Sequence, residues 1–229
     1  QIEIKRVVCR KTDKVILQTQ GNVIASNDLN SIIDDPSISV VIEVMGGIEP
    51  AKTFILNALK NGKDVITANK ALLATHGNEI FEEARKQNRS VFFEASVAGG
   101  IPVIKALREG LAGNQISKVS GILNGTCNYI LSAMHKTPLA FAEALKNAQQ
   151  LGYAEADPTF DIEGLDTGHK LSILISLAFG VPFHFDITAV EGIKGISSFD
   201  IQFAQKLGFV VKLLATVEKI NDRLSFQVA

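Results

Sequence analysis

Residues 39–97 alternate between short apolar runs and stretches with helical spacing, and this alternation limits the possible fold more than any other feature. The apolar runs are SVVIEV at 39–44, KDVIT at 63–67 and SVFFEASV at 90–97. Continuous β-branched runs are typical of strands buried on both faces of a parallel sheet. Helical patterns lie between them, at 51–62 and from about 76 to 88. Strands and helices that alternate with short loops predict right-handed βαβ units in a doubly wound α/β fold.

The flanking regions follow different patterns. Residues 2–8 alternate as a strand does and lead into a charged turn, and residues 26–38 suggest a short helix stopped by Pro36. After residue 98 the chain becomes rich in helical patterns, with one isolated strand at 116–123 and a hairpin that turns at Asn221-Asp222. We therefore predict two domains, an α/β domain at 1–98 and an α+β domain at 99–229.

Composition excludes several classes of protein. The 229 residues carry a net charge of −1, so no basic field predicts a nucleic-acid partner. No apolar run reaches the roughly 18 to 20 residues of a membrane span. The two cysteines, Cys9 and Cys127, fit neither a disulfide framework nor a metal site, and the four histidines show no metal-ligand spacing. We expect a cytoplasmic protein that acts on a small molecule.

An acidic stretch at 148–170 carries the strongest chemical signal. Five carboxylates fall within twelve positions, at Glu155, Asp157, Asp161, Glu163 and Asp166, and a single cation, Lys170, follows them. From residue 165 the chain has helical apolar spacing up to Gly180, so Asp166 and Lys170 share one helix face. An ordinary surface ion pair is one explanation of that spacing. It does not account for a long acidic loop that leads into an otherwise apolar helix.

This stretch resembles the signature of homoserine dehydrogenases, and the similarity extends over essentially the whole chain. The matching positions are Ala148, Gly152, Tyr153, Ala154, Asp157, Pro158, Asp161, Ile162, Gly164, Asp166 and Lys170. The resemblance implies a partial Rossmann-type domain followed by a substrate-binding and dimerisation domain, in a homodimer. It also implies nicotinamide-dependent interconversion of L-aspartate 4-semialdehyde and L-homoserine, in the biosynthesis of threonine, methionine and isoleucine.

The resemblance assigns roles to individual residues. Lys170 would donate the proton, Lys70 would be the second active-site lysine, and Asp166 would bind substrate or hold Lys170. Taken alone, without the signature, Lys70 is better explained as a solvated loop lysine. The expected substrate-binding residues are Glu155, Asp161, Gly152 and Tyr153. Asp157 is open between substrate binding and a simple turn device with Pro158.

Cofactor binding is expected at the ends of the strands in the first domain. The expected residues are Arg10, Gly46, Gly47, Ala68 and Lys70. Because Arg10 follows the strand at 2–8 and no acidic residue lies between that strand and Asp13, the sequence predicts a preference for NADP(H), with a solvated turn charge as the alternative. No Gly-x-Gly-x-x-Gly precedes this strand, so we expect the first βα unit of the family to lie outside the chain. The final hairpin similarly suggests that the family's C-terminal part lies beyond it.

The turn at 93–101 resembles the sodium site of the family. Its ligands would be Glu94 and the backbone carbonyls of Val97, Gly99 and Ile101. A carboxylate among free carbonyls suits a hard cation. A glycine hinge between domains is the other interpretation of the same residues, and both can hold together.

Two other functions deserve comparison. An aspartate-semialdehyde dehydrogenase would need a nucleophilic cysteine, for which Cys127 is the candidate, but no partner histidine accompanies it. A non-catalytic dimerisation or binding module is the second alternative. Retention of both lysines and Glu155 favours an enzyme.

Overall fold

The computed structural model describes residues 2–20 and 22–229. The chain folds as two compact units, Gln1–Ser96 and Val97–Ala229. Within the described ranges, no helix is both long enough and apolar enough to cross a membrane.

The first unit alternates strands and helices along the chain. Its elements are β1 (Arg6–Val8), α1 (Thr12–Thr19), β2 (Ile24–Ser26), α2 (Asn30–Ile33), β3 (Val40–Glu43), α3 (Ala51–Lys60), β4 (Asp64–Thr67), α4 (Lys70–Lys86) and β5 (Val91–Phe92), and a 3-10 turn at Glu94–Ser96 closes it. Strand β1 pairs with β2, and β4 lies between β3 and β5; all three pairings are parallel. The predicted parallel α/β architecture is confirmed. Among the described residues its strands form a two-stranded and a three-stranded sheet.

The three-stranded sheet is buried on one face only. Val41, Val65 and Val91 point into the core, where α3 packs on β3, β4 and α4. The residues that alternate with them, Ile42 and Ile66, are 65% and 37% exposed. The expectation of strands buried on both faces is therefore wrong for the described chain, because α3 and α4 pack together on the same side.

Several elements of this unit differ from the sequence prediction. Helix α1 and strand β2 occupy a region that was expected to begin as a charged turn, and α2 is only four residues long. Helix α4 begins at Lys70 rather than near residue 76, because the Asn69 side chain accepts a hydrogen bond from the Leu72 N–H and caps the helix there. The predicted strand at 90–97 keeps only two strand residues before the 3-10 turn.

The second unit combines helices with an antiparallel sheet. Its elements are α5 (Val103–Lys105) with a π-helical continuation at Ala106–Gly110, β6 (Lys118–Gly121), α6 (Gly125–Lys136), α7 (Phe141–Gln150), α8 (Thr159–Ile162), α9 (Leu165–Phe179), a 3-10 turn at Ile187–Ala189, α10 (Ser198–Lys206), β7 (Ala215–Ile220) and β8 (Arg223–Val228). The sheet order is β6-β7-β8. Asn221 and Asp222 both have positive φ, as a two-residue type I′ hairpin turn requires, so the predicted turn is confirmed.

Helix α9 lies at the centre of this unit. It contacts α8, β7 and β8, and nine of its fifteen residues are buried. Its apolar residues join those of α6 and of the sheet in one core, which includes Ile130, Leu131, Leu171, Ile175 and Val217. Gly180, with φ of 66°, ends the helix as the sequence predicts. This surrounding core explains why a helix that carries Asp166 and Lys170 is otherwise almost wholly apolar.

Candidate active site

Lys170 and Asp166 form a largely buried ion pair on α9. The Lys170 Nζ donates hydrogen bonds to Asp166 Oδ2 at 2.6 Å and to the carbonyl oxygen of Leu123 at 2.7 Å. The side chains are 17% and 7% exposed. Two of the three ammonium hydrogens are thus used within the protein, and the third has no hydrogen-bond partner among residues 2–20 and 22–229. The pair therefore differs from an ordinary surface i,i+4 contact, which would be screened and mobile.

Glycines bring the start of α9 close to the segment at 185–191. Gly164 precedes the helix with φ of 81°, a conformation that favours glycine. A Cβ on Gly168 would lie 2.8 Å from side-chain atoms of both Phe185 and Val190. The close packing of this segment leaves little room for the first turn of α9 to move, and that turn carries Asp166.

Asn124 joins the two aspartates of this site, a role that the sequence analysis missed. Its Nδ2 donates to Asp161 Oδ1 at 2.7 Å and to Asp166 Oδ2 at 2.8 Å. Its Oδ1 accepts from the Cys127 N–H at 2.7 Å and so caps α6. An asparagine before a glycine indicates a turn or a helix cap in any sequence. Nothing in that local pattern reveals the two distant carboxylates.

Thr126 connects the loop that precedes α8 to the same cluster. Its hydroxyl is the donor to both the Tyr153 carbonyl oxygen, at 2.7 Å, and Asp161 Oδ2, at 3.0 Å. The Tyr153 ring stacks on Tyr129 with centroids 4.7 Å apart. Gly152, with φ of 77°, provides the turn that follows α7. The structure thus brings together four of the predicted site positions, Tyr153, Asp161, Asp166 and Lys170.

Glu155 lies apart from that network. The residue is exposed, and its side chain has no hydrogen bond or ion pair with any of the described residues. The loop around it is held by the Gln149 side-chain amide, which donates to the carbonyl oxygens of Glu155 and Ala156. Asp157 accepts from the Thr159 N–H at the start of α8, and contacts with Thr159 lower the pKa of its carboxyl. This geometry favours the turn device over a substrate contact for Asp157.

Cys127 lacks the properties of a nucleophile. Its thiol is fully buried and donates to the Asp161 carbonyl oxygen at 3.1 Å. Burial, with the negative charges of Asp161 and Asp166, raises the pKa of Cys127 to about 12. Because the thiolate is the reactive species, the thiol chemistry of the aspartate-semialdehyde dehydrogenase alternative has no support here.

A second polar network lies at the carboxyl ends of β3 and β4, in the first unit. Glu43 is 1% exposed; its Oε1 accepts from the Met45 N–H at 2.7 Å, and its Oε2 accepts from the Thr67 hydroxyl at 2.7 Å. Thr67 Oγ1 in turn accepts from the Asn69 N–H, and Asn69 Nδ2 donates to the Gly47 carbonyl oxygen at 2.7 Å. Two loops that are distant in sequence are therefore tied together through one buried carboxylate.

These loops contain most of the residues predicted to bind the cofactor. Gly46 and Gly47 are exposed and have φ of 75° and 73°. Ala68 lies between β4 and α4, Lys70 is the first residue of α4, and both are half-buried. Arg10 is exposed between β1 and α1. In open parallel sheets, ligands bind at the carboxyl ends of the strands, so the position of these residues suits a nucleotide.

The predicted sodium ligands lie in a turn that crosses the boundary between the units. Glu94 belongs to the first unit, and Val97, Gly99 and Ile101 belong to the second. Gly100 and Ala98 have positive φ, and the Ile101 N–H donates to the Ala98 carbonyl oxygen at 2.8 Å. The sodium site stays a prediction.

The described chain is a two-unit α/β protein, with a polar network at the strand ends of its parallel unit and a largely buried lysine–aspartate pair in the unit that follows. The family described as "Homoserine dehydrogenase" matches residues 102–229, and "Homoserine dehydrogenase, NAD binding domain" matches residues 1–94. The chain belongs to the homoserine dehydrogenase family, whose members are NAD(P)-dependent oxidoreductases.

Individual relatives agree with this assignment. The chain is 55% identical over 191 residues to a homoserine dehydrogenase of Neisseria gonorrhoeae, covering 83% of this chain and 44% of that protein. It is 46% identical over 227 residues to that of Pseudomonas aeruginosa, covering 99% and 52%. A crystal structure of a homoserine dehydrogenase from Thiobacillus denitrificans superposes with a TM-score of 0.94 at 46% identity, covering 100% of this chain and 53% of that one. The chain spans about half the length of the curated relatives it matches.

Proposed function

We propose that this protein interconverts L-aspartate 4-semialdehyde and L-homoserine by NADP(H)-dependent hydride transfer, a reaction of amino-acid biosynthesis. The observation that carries the proposal is the Lys170 ammonium, which is largely buried and oriented by Asp166 and the Leu123 carbonyl, with one hydrogen that no described residue accepts. Membership of the homoserine dehydrogenase family supports the choice of substrate.

Lys170 meets the chemical requirement of the reaction. Reduction of an aldehyde develops negative charge on its oxygen, which a fixed cation stabilises and a proton donor neutralises. In the opposite direction the same amine accepts the proton of the homoserine hydroxyl. Asp166 holds the Nζ in place, so little reorganisation is needed when the charge develops.

The residues of the first unit fit a nicotinamide cofactor. A Cβ on Gly46 would meet no described atom within 4 Å, and one on Gly47 would meet the Glu49 carbonyl oxygen at 4.0 Å, so both backbones are open to a ligand. Ala68 and Lys70 follow the adjacent strand end. The bound nicotinamide would supply or accept the hydride. Arg10, exposed after β1, would pair with the 2′-phosphate that distinguishes NADP from NAD.

The substrate's amino-acid end requires polar groups in the second unit. The exposed carboxylate of Glu155 would pair with its ammonium group, near Gly152 and Tyr153. Asp161 already accepts from Asn124 and Thr126, so it would serve the site mainly by holding those side chains. A sodium ion at Glu94, Val97, Gly99 and Ile101, and a homodimer, remain further elements of the proposal, supported by the carbonyl-rich turn and by the family.

The test is NADP⁺ reduction by L-homoserine at alkaline pH, with the protein expressed from its complete gene. Lys170→Met should lower kcat by roughly 100- to 10,000-fold, the range of general acid–base contributions. Lys194→Met, an exposed lysine beside Glu163, is the matched control and should keep wild-type activity.

Each outcome decides between functions. Wild-type protein without homoserine oxidation would overturn the proposal and favour the non-catalytic binding or dimerisation module. Full activity in Lys170→Met would support the proposed reaction but show that Lys170 is not the proton donor, and Lys70 would be the next candidate for that role.

A further inference from the structure

Asn124 occupies a position that the local sequence does not explain. The residue is 5% exposed, and all of its side-chain hydrogen-bonding groups are engaged. Because Oδ1 must accept from the Cys127 N–H, the orientation of the amide is fixed, and the NH₂ group has to face the two carboxylates. A helix cap needs only the oxygen. The two donated hydrogen bonds need another reason.

The amide brings two anions side by side. Asp161 Oδ1 and Asp166 Oδ2 lie 2.7 and 2.8 Å from the same nitrogen, so these oxygens are at most 5.5 Å apart. Two carboxylates that close repel one another unless donors or cations lie between them. One N–H directed at each carboxylate offsets this repulsion and gives each carboxylate a defined position.

The same short segment also contacts the lysine. Leu123, the neighbour of Asn124, offers its carbonyl oxygen to Lys170 Nζ at 2.7 Å, while Asn124 donates to the carboxylate oxygen that Lys170 binds. The chain between β6 and α6 therefore orients both members of the ion pair. Asp166 and Lys170 are held by α9 on one side and by Leu123–Asn124 on the other.

We propose that Asn124 is a positioning residue, which fixes Asp161, Asp166 and Lys170 in one rigid arrangement by sharing its two amide hydrogens between the aspartates. This inference rests on the proposed function for its effect on catalysis. It adds to that function a residue that acts through Asp166 on the placement of the lysine ammonium.

Asn124→Asp is the sharpest test, because aspartate caps a helix as well as asparagine does and has the same shape. It keeps the oxygen that accepts from the Cys127 N–H and replaces the NH₂ group by an oxygen, which adds a third carboxylate beside Asp161 and Asp166. Since misplacement of a reacting group by about 1 Å costs roughly 100-fold, we expect kcat for homoserine oxidation to fall by about 100-fold. KM for NADP⁺ should stay within about threefold, because the first unit is untouched.

Two further variants separate positioning from general damage. Asn128→Asp adds the same charge one turn along α6, where Lys212 Nζ already binds the side chain at 2.7 Å, and should keep wild-type kcat. Asn124→Ser retains a capping oxygen without adding charge, and should lower kcat by roughly 10-fold. This second substitution keeps the test valid if Asn124→Asp folds poorly.

A readout without substrate completes the experiment. Both side-chain amide protons of Asn124 should exchange slowly with solvent, and Asp166→Ala should accelerate the exchange of one of them. Rapid exchange of both protons in the wild type would overturn the inference. So would kcat within about threefold of wild type in both Asn124 variants, since the energetic effect of the contacts would then be negligible. If the wild-type protein does not oxidise homoserine, the proposed function is contradicted and not the inference about Asn124. The exchange measurement then still decides whether Asn124 holds the two aspartates.

Discussion

A single methyl group added at Gly192 should disturb the candidate site by displacing the backbone at Ile162 and Glu163, just before Asp166. The segment around it is bound on both sides: the Glu191 N–H donates to the Val228 carbonyl oxygen at 2.7 Å, and the Ile193 N–H donates to the Ile162 carbonyl oxygen at 2.8 Å. A Cβ on Gly192 would lie 2.2 Å from that Ile162 oxygen and 2.4 Å from the Glu163 Cα. These are backbone atoms of the stretch that leads into Asp166, so no flexible side chain can give way.

The size of the effect follows from the geometry. The contact with the Ile162 oxygen must open from 2.2 Å to at least 3.0 Å, a displacement of about 0.8 Å. The same movement would stretch the Ile193–Ile162 hydrogen bond to about 3.6 Å, beyond the range of such bonds. Loss of the bond costs about 1 kcal/mol, and overpacking costs about 1–3 kcal/mol. We expect Gly192→Ala to lower the free energy of unfolding by about 2–4 kcal/mol.

Urea denaturation followed by circular dichroism measures this difference. Gly195→Ala is the matched control, because a Cβ at Gly195 meets no atom within 4 Å, and it should be neutral or stabilising by up to about 1 kcal/mol. Activity of Gly192→Ala should fall as well, since the displaced segment precedes Asp166. Equal free energies of unfolding for the two variants would refute the argument that the backbone contact is rigid.

Three further predictions concern other parts of the chain. Glu43→Gln removes the acceptor of the Thr67 hydroxyl and should weaken NADPH binding by roughly 10-fold or more in a fluorescence titration. The control, Glu49→Gln, changes an exposed residue and should leave NADPH affinity unchanged. Equal NADPH affinity in the two variants would contradict a role for the buried network. Cys127, with its pKa raised to about 12, should resist iodoacetamide at pH 8 until urea unfolds the protein, and rapid labelling of the native state would show that the thiol is accessible. Hydrogen bonds from Ser37, followed by Arg6, hold the pKa of Asp35 at about 2 instead of 3.8, so its contribution to stability is present above pH 3.8 and is lost as the pH falls through 2. A carbon-13 NMR titration of Asp35 with a midpoint near 4 would contradict this last prediction.

Much of the first unit follows from local patterns in the sequence. The β-branched runs and the helical spacing between them correctly predict β3, α3 and β4, because each pattern concerns residues within one element. The starts and ends of elements were less accurate. Helix α1 was missed because its charged first residues look like a turn, and α4 begins early because one side chain, Asn69, caps it.

The candidate site divides in the same way. Asp166 and Lys170 could be paired from the sequence because residues four apart on a helix are always neighbours. Gly180 and the Asn221-Asp222 turn were likewise predicted from their own conformational preferences. These are short-range features, and the residue types alone define them.

Tertiary structure alone decided the rest. Asn124 meets Asp166 across 42 positions of sequence, Glu43 meets Thr67 across 24, and Gly192 touches Ile162 only after α8 and α9 have packed. An asparagine before a helix or a glutamate within a strand has the same local pattern whether it is solvated or buried in a network. Burial also decides the chemistry, because the pKa of Cys127 and the fixed geometry of Lys170 arise from groups that only the folded chain brings within hydrogen-bond distance.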